Sequence, residues 1–135
     1  MKQEFQIISD LIQKSTRVLD VGCGNGELME FLKYNKAIDI RGIEISKNNV
    51  QICLSKGLTV IEGDAEKDLT QFPDHSFDFV ILTQTLQAFL SPENVIKELL
   101  RVGKKAIVTI PNFGFWKVRL HLLIKGTMPI TKNLP

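Results

Sequence analysis

Residues 17–28, RVLDVGCGNGEL, hold a strand, a turn and the start of a helix in quick succession. Val18, Leu19 and Val21 form a short apolar run of the kind that becomes a buried strand. Gly22, Gly24 and Gly26 then alternate through a turn, and Glu27-Leu28-Met29 opens a helical pattern. A strand that ends in a glycine turn and restarts as a helix brings bare backbone and unpaired N–H groups close to a ligand. Asp20 interrupts the apolar run. A carboxylate at the end of a buried strand costs on the order of several kcal/mol unless it is paired or hydrogen-bonded. A cationic or hydrogen-bonding partner is therefore expected for it.

On either side the chain repeats the same grammar. Upstream, Phe5, Ile8, Leu11 and Ile12 recur at helical spacing and predict an amphipathic helix within residues 1–16. Downstream, Leu28, Phe31 and Leu32 share one side of a helix. Ile38–Ile45, IDIRGIEI, is the next strand, with Glu44 near its end. Ser46 can cap a helix with Val50, Cys53 and Leu54 facing inward and Gly57 as its stop. Leu58–Ile61 forms a third strand, followed by Gly63-Asp64-Ala65. A brief helical turn and the loop Pro73-Asp74-His75-Ser76 lead to a fourth strand, Phe77–Leu82. Ser91-Pro92-Glu93 starts a helix with Val95, Ile96, Leu99 and Val102 as its buried stripe and Gly103 as its end. Lys105–Ile110 is the fifth strand, closed by Pro111-Asn112.

Strands alternating with helices predict parallel βαβ units with right-handed crossovers, an α/β fold arranged as a three-layer αβα sandwich of Rossmann-like type. Such sheets bind ligands at the carboxyl ends of their strands. Asp20, Glu44, Asp64 and Thr83-Gln84 all fall at such ends, so four separate polar positions converge on one crevice.

Length and composition are those of one globular domain: 135 residues, 44% hydrophobic and 24% charged, enough for a sizeable core. The net charge of +2 conceals an asymmetry. Residues 1–100 carry 10 basic against 15 acidic side chains, whereas residues 101–135 carry seven basic and no acidic ones. Cys23 and Cys53 are the only cysteines and lack metal-ligand spacing. With no secretory leader in MKQEFQIISDLIQK, reduced thiols and a cytoplasmic location are expected. No stretch is apolar enough for a membrane span.

The glycine spacing narrows the ligand. Gly22-x-Gly24-x-Gly26 is not the GxGxxG of a dinucleotide fold, and an acid precedes its first glycine. Asp20 would repel a pyrophosphate and attract the ammonium of S-adenosylmethionine. Glu44 can accept both hydroxyls of a ribose. Asp64 can accept from an adenine amino group while the Ala65 N–H donates to the ring. A ligand with a cationic end is favoured over NAD.

VLDVGCGNG, the acid in RGIEI, and GDAEKDL with FPDHSFDFVIL resemble the first to fourth motifs of class I S-adenosylmethionine-dependent methyltransferases. More narrowly, TQTLQA, RVGKKAIVTIPNFGFWKVRLHLL and GTMPITKNLP join these stretches in a resemblance to the MetW family, covering nearly everything after residue 16. The resemblance implies that Asp20, Gly22, Gly24 and Gly26 hold the methionine part of S-adenosylmethionine, or of its product S-adenosylhomocysteine, with Cys23 the small residue that fills the same cofactor-binding turn. Glu44, with Ile45 beside it, would take the ribose, Asp64 and Ala65 the adenine, and Thr83-Gln84 the adjoining strand end. It also implies methyl transfer to an unidentified small molecule. The family's link to homoserine O-acyltransferase in methionine synthesis makes that enzyme an expected partner, and a role as its non-catalytic S-adenosylmethionine sensor the alternative. Folds of this class normally add a sixth and an antiparallel seventh strand. Here five strands are expected, with the last ones absent and the chain a shortened form.

The remaining residues carry less. His75 in its turn and His121 between Leu120 and Leu122 have no catalytic context, and no residue qualifies as a general base. Thr83-Gln84-Thr85 lacks the Asn/Asp-Pro-Pro-aromatic signature of amide and nucleobase methylation. Residues 114–125 are basic and amphipathic, and are expected as a tail helix covering the open edge of the fifth strand or docking a second copy. An acidic body without an aromatic–basic repeat argues against nucleic acid as a partner.

Overall fold

The structure is a computed structural model that describes the backbone of residues 2–83, 88–112, 117–124 and 130–133. Side chains are described for residues 4–83 and 88–109. Five parallel strands form the body of the sheet: β1 (Arg17–Val21), β2 (Asp39–Glu44), β3 (Thr59–Glu62), β4 (Phe77–Leu82) and β5 (Gly103–Asn112). The helices are α1 (Lys2–Leu11), α2 (Glu27–Asn35), α3 (Lys47–Ser55), the short α4 (Ala65–Asp68) and α5 (Pro92–Val102), with a 3-10 turn at Leu69–Gln71.

Alternation along the strands produces the layers. Val18, Phe79, Ile81 and Ile107 bury one face of the sheet against Ile8 of α1 and Ile12 just beyond it, Met29 and Leu32 of α2, and Val50 and Cys53 of α3. Leu19, Val21, Val80, Leu82 and Val108 bury the other against Leu69 and Val95, Leu99 and Val102 of α5. Because both faces are covered, the central strands are continuous apolar runs, and Asp20 stands out in one of them. Ser46 caps α3 as its sequence suggests, accepting from the Asn49 amide at 3.3 Å. Within that helix Leu54 is exposed rather than inward, and Val50 and Cys53 alone are buried. Ile96 of α5 is only half-buried.

Strand order is β3-β2-β1-β4-β5, continued by β6 (Lys117–Ile124) and β7 (Ile130–Asn133). The order reverses between β1 and β4, which opens a crevice beyond their carboxyl ends. The last two strands correct the expectation of a tail helix and of a sheet ending at five. β6 runs antiparallel to β5 from Lys105↔Ile124 to Asn112↔Lys117, and β7 pairs antiparallel with β6. The edge of β5 expected to lie open is therefore paired. The physical reason is visible in Lys117-Val118-Arg119-Leu120-His121-Leu122, where polar and apolar residues alternate with the strand period of two.

Candidate functional site

The glycine turn is strapped to the neighbouring strand. The amides of Gly22 and Cys23 both donate to the Ile43 carbonyl, at 2.8 and 3.2 Å, and the Gly26 amide closes the turn on the Cys23 carbonyl at 3.1 Å. Gly24 adopts φ +58°, and a Cβ there would point into open space, so its backbone is bare to whatever occupies the crevice. Gly26 caps α2 at φ +86°, and a Cβ would fall 2.5 Å from Leu58 Cδ1 and 3.0 Å from Cys53 Sγ. Glycine there lets the start of α2 sit down on Cys53 of α3 and on Leu58 just ahead of β3.

Asp20 and Glu44 end adjacent strands, and both side chains are buried. Glu44 is well provided for: its Oε1 accepts from the Gly24 amide at 2.8 Å and its Oε2 from the Ser46 amide at 2.9 Å. Asp20 is not. Its Oδ1 is buried without a hydrogen-bond partner. Burial, with the nearby Glu44 charge adding to it, pushes the Asp20 carboxyl up to about 8.

Two cavities meet at Gly22. The larger, about 180 Å³, is lined by Asp20, Gly22, Cys23, Gly24 and Thr83, together with Glu4, Phe5, Asn25, Glu27 and Leu28. The smaller, about 70 Å³, is lined by Gly22, Ile43, Glu44, Ile45, Gly63, Asp64, Ala65 and Phe89. The structure thus brings together Asp20, Gly22, Cys23, Gly24, Thr83, Glu44, Ile45, Asp64 and Ala65 around one bipartite crevice. Gly26 lines neither cavity and acts through packing, and Gln84 lies outside the described residues. Asp64 also braces its own loop: its Oδ1 caps α4 by accepting from the Glu66 amide at 3.0 Å, and its amide donates to Asp68 Oδ2 at 2.7 Å.

Glu4, Phe5 and Phe89 were not foreseen as lining. No local pattern marks them, because each reaches the crevice through the packing of an element remote in sequence. The helix α1 is anchored by buried Ile8 and Ile12, and Phe5 packs on Phe31 of α2 with ring centroids 5.8 Å apart. Glu4 is buried, and burial raises its pKa, opposed by a hydrogen bond from the Thr109 side chain and by the N-terminal ammonium.

Chemically the larger cavity suits a cation, since three carboxyl side chains and no basic one line it. The smaller offers a strand-end acid, the Asp64-Ala65 backbone and two apolar side chains, Ile45 and Phe89, a setting for a ribose and a flat ring.

Comparison with known proteins agrees with this fold. A chain described as the bifunctional methionine biosynthesis protein MetXA/MetW of Rhodopirellula baltica is 34% identical over 130 residues, covering 90% of this chain and 21% of that protein. The demethylmenaquinone methyltransferase of Listeria welshimeri is 28% identical over 88% of this chain and 56% of its own. The chain therefore spans about a fifth and about half of these two relatives. Among solved structures, a Thermotoga maritima S-adenosylmethionine-dependent methyltransferase, described as a possible histamine N-methyltransferase, superposes with a TM-score of 0.70. It is 30% identical, over 84% of this chain and 52% of that one. Together with this likeness, the model of the family described as "Methionine biosynthesis protein MetW" matches residues 2–135, and the chain belongs to that family.

Proposed function

We propose that this chain binds S-adenosylmethionine across the crevice at Gly22 and transfers its methyl group to a small molecule. The observation that supports this most strongly is the pairing of a buried, unpartnered Asp20 oxygen on one side of Gly22 with the strand-end acid Glu44 on the other. A ligand carrying an ammonium at one end and a ribose further along meets both. Asp20 takes the ammonium. Glu44 keeps its two amide partners and, with lone pairs to spare, accepts the ribose hydroxyls. The Asp64-Ala65 segment faces the adenine edge, and Ile45 and Phe89 flank the ring.

When bound, S-adenosylmethionine supplies a sulfonium methyl group to an incoming nucleophile. What the chain contributes is placement: the glycine turn fixes the ligand's depth, and Thr83 at the end of β4 lines the cavity where an acceptor would approach. Holding nucleophile and methyl in line provides much of the rate of such a transfer without a general base. The acidic lining favours an acceptor that is neutral or cationic over an anionic one. The buried thiols Cys23 and Cys53 suit a reducing cytoplasm. Among the described residues no helix is long and apolar enough to cross a membrane.

A second reading is favoured by the relative described as the bifunctional methionine biosynthesis protein MetXA/MetW, whose name joins MetXA and MetW in one protein. On this reading the present chain senses S-adenosylmethionine and acts through a homoserine O-acyltransferase partner. Calorimetry with S-adenosylmethionine and NAD side by side tests the site, and tighter NAD binding overturns it. Formation of S-adenosylhomocysteine with a metabolite extract supports transfer. Recovery of the acyltransferase on the tagged protein without turnover supports sensing.

A further inference from the structure

We propose that Glu4 of α1 is a second binding carboxylate for the ammonium of the ligand's amino-acid end, which it reaches from α1 while Asp20 reaches it from β1. This rests on the reading of the crevice given above. Glu4 and Asp20 line the same cavity of about 180 Å³ and are both buried, at 8% and 1% exposure. No Lys, Arg or His stands among that cavity's lining residues, and no ion pair among the described residues involves either acid. A hydrogen bond from the Thr109 side chain and the charge of the N-terminal ammonium satisfy Glu4 in part, and a carboxylate has room for several further donors. Asp20 Oδ1 has none. An ammonium carries three donors and a full positive charge on one small centre, so it can pair with two carboxylates at once where a hydroxyl, with its single donor, cannot.

The placement of Glu4 is firm. One turn further along the helix, Ile8 is fully buried, and Phe5 is seated against Phe31, so the carboxyl is presented by a packed element rather than a loose end. The consequence is that α1 forms part of the binding site. Ligand binding then draws α1, β1 and the glycine turn onto one positive centre, and the first helix closes the methionine end of the crevice.

The test uses two ligands that share adenosine and a thioether but differ at the amino-acid end: S-adenosylhomocysteine and 5′-methylthioadenosine. Glu4→Gln keeps the volume and can still accept from Thr109. It should weaken S-adenosylhomocysteine about tenfold, the loss of one charge-assisted hydrogen bond, and leave methylthioadenosine unchanged. Glu4→Asp keeps the charge but withdraws it by one methylene, and should lose part of the same selectivity. Melting temperatures of the free variants, expected within a few degrees of the parent, show that the fold survives. If Glu4→Gln binds S-adenosylhomocysteine as well as the parent or better, the carboxylate does not meet the ammonium. Equal weakening of both ligands also overturns the proposal and makes Glu4 a brace for α1. Failure of the parent to bind either ligand would instead overturn the reading of the crevice itself.

Discussion

Gly24 and Glu44 are joined by a 2.8 Å hydrogen bond from the glycine amide to Oε1 of the acid, across the gap between the glycine turn and the end of β2. The Ser46 amide holds Oε2 at 2.9 Å, so one side chain ties the turn, the second strand and the cap of α3 together. Glu44 therefore has a structural duty beside any contact with ribose. Glu44→Gln can accept from one of the two amides but faces the other with its NH₂. A stability loss of about 1–3 kcal/mol is expected, from one buried amide left unsatisfied. Urea denaturation should show it in the absence of ligand, and adenosine binding should weaken as well. A variant as stable as the parent would show that the two amide bonds are dispensable.

The Asp20 carboxyl, pushed up to about 8 by burial, makes the free protein's stability depend on pH. Between the unfolded value near 4 and about 8, the folded state holds a proton that the unfolded state has released. That contribution is complete below the unfolded value and is lost as pH rises through about 8. Glu4, raised by burial, acts in the same direction. Asp20→Asn resembles the protonated form and has no proton to release on unfolding, so it should nearly match the parent near pH 4 and exceed it near pH 9. Denaturation midpoints at those two pH values check this. A variant less stable at both would mean that the carboxyl is held by a partner it needs.

Sequence reasoning reached the parts of the site that depend on strand ends. Asp20 and Glu44 stand out because each is an acid set in the carboxyl-terminal part of a buried strand, and the sheet topology brings them together. The α5 boundaries were equally plain, with Pro92 at the start and Gly103 as the cap. What could not be seen was set by tertiary packing. Glu4 looks like an ordinary first-turn acid until α1 is laid across the mouth of the crevice. Residues 117–124 mix leucines and bases densely enough to satisfy a helical pattern. They also alternate with the strand period of two, and the β5 edge they pair with decides between the two patterns. The purpose of Gly42 was hidden for the same reason.

In that glycine, a Cβ would lie 2.8 Å from both Cys23 Sγ and Met29 Sδ. Met29 is fully buried in the core and Cys23 belongs to the turn itself, so neither sulfur has open space to move into. Gly42→Ala is therefore expected to cost about 1–3 kcal/mol through overpacking and to shift the turn. Both the melting temperature and S-adenosylhomocysteine affinity should fall. A drop in stability with unchanged affinity would show that Met29 absorbs the strain alone.

β6 pairs with β5 over eight residues, from Lys105↔Ile124 to Asn112↔Lys117. Deleting residues 113–135 would bare the backbone edge of a long strand whose Ala106, Ile107 and Val108 are fully buried in the core. Exposed edges of this kind template aggregation. The shortened protein should elute in high-molecular-weight material or precipitate during purification. A monomer that melts at the parent's temperature would show that the parallel strands stand without their antiparallel extension.

Because the free Asp20 carboxyl titrates near 8, it is largely protonated at pH 7, and an ammonium can pair with it only after that proton leaves. Binding of S-adenosylmethionine or S-adenosylhomocysteine should therefore release close to one proton per ligand at pH 7. Calorimetry in phosphate and in Tris, whose ionisation enthalpies differ, reads this directly as a buffer-dependent heat. Affinity should rise between pH 5.5 and 7.5 by up to about tenfold per pH unit, the limit for one coupled proton. Methylthioadenosine, which brings no ammonium, should release none, and Asp20→Asn should abolish the effect for every ligand. If the parent's heats are the same in both buffers, either the carboxyl stays protonated in the complex or the ammonium lies elsewhere. In both cases the charge pairing assigned to Asp20 is wrong.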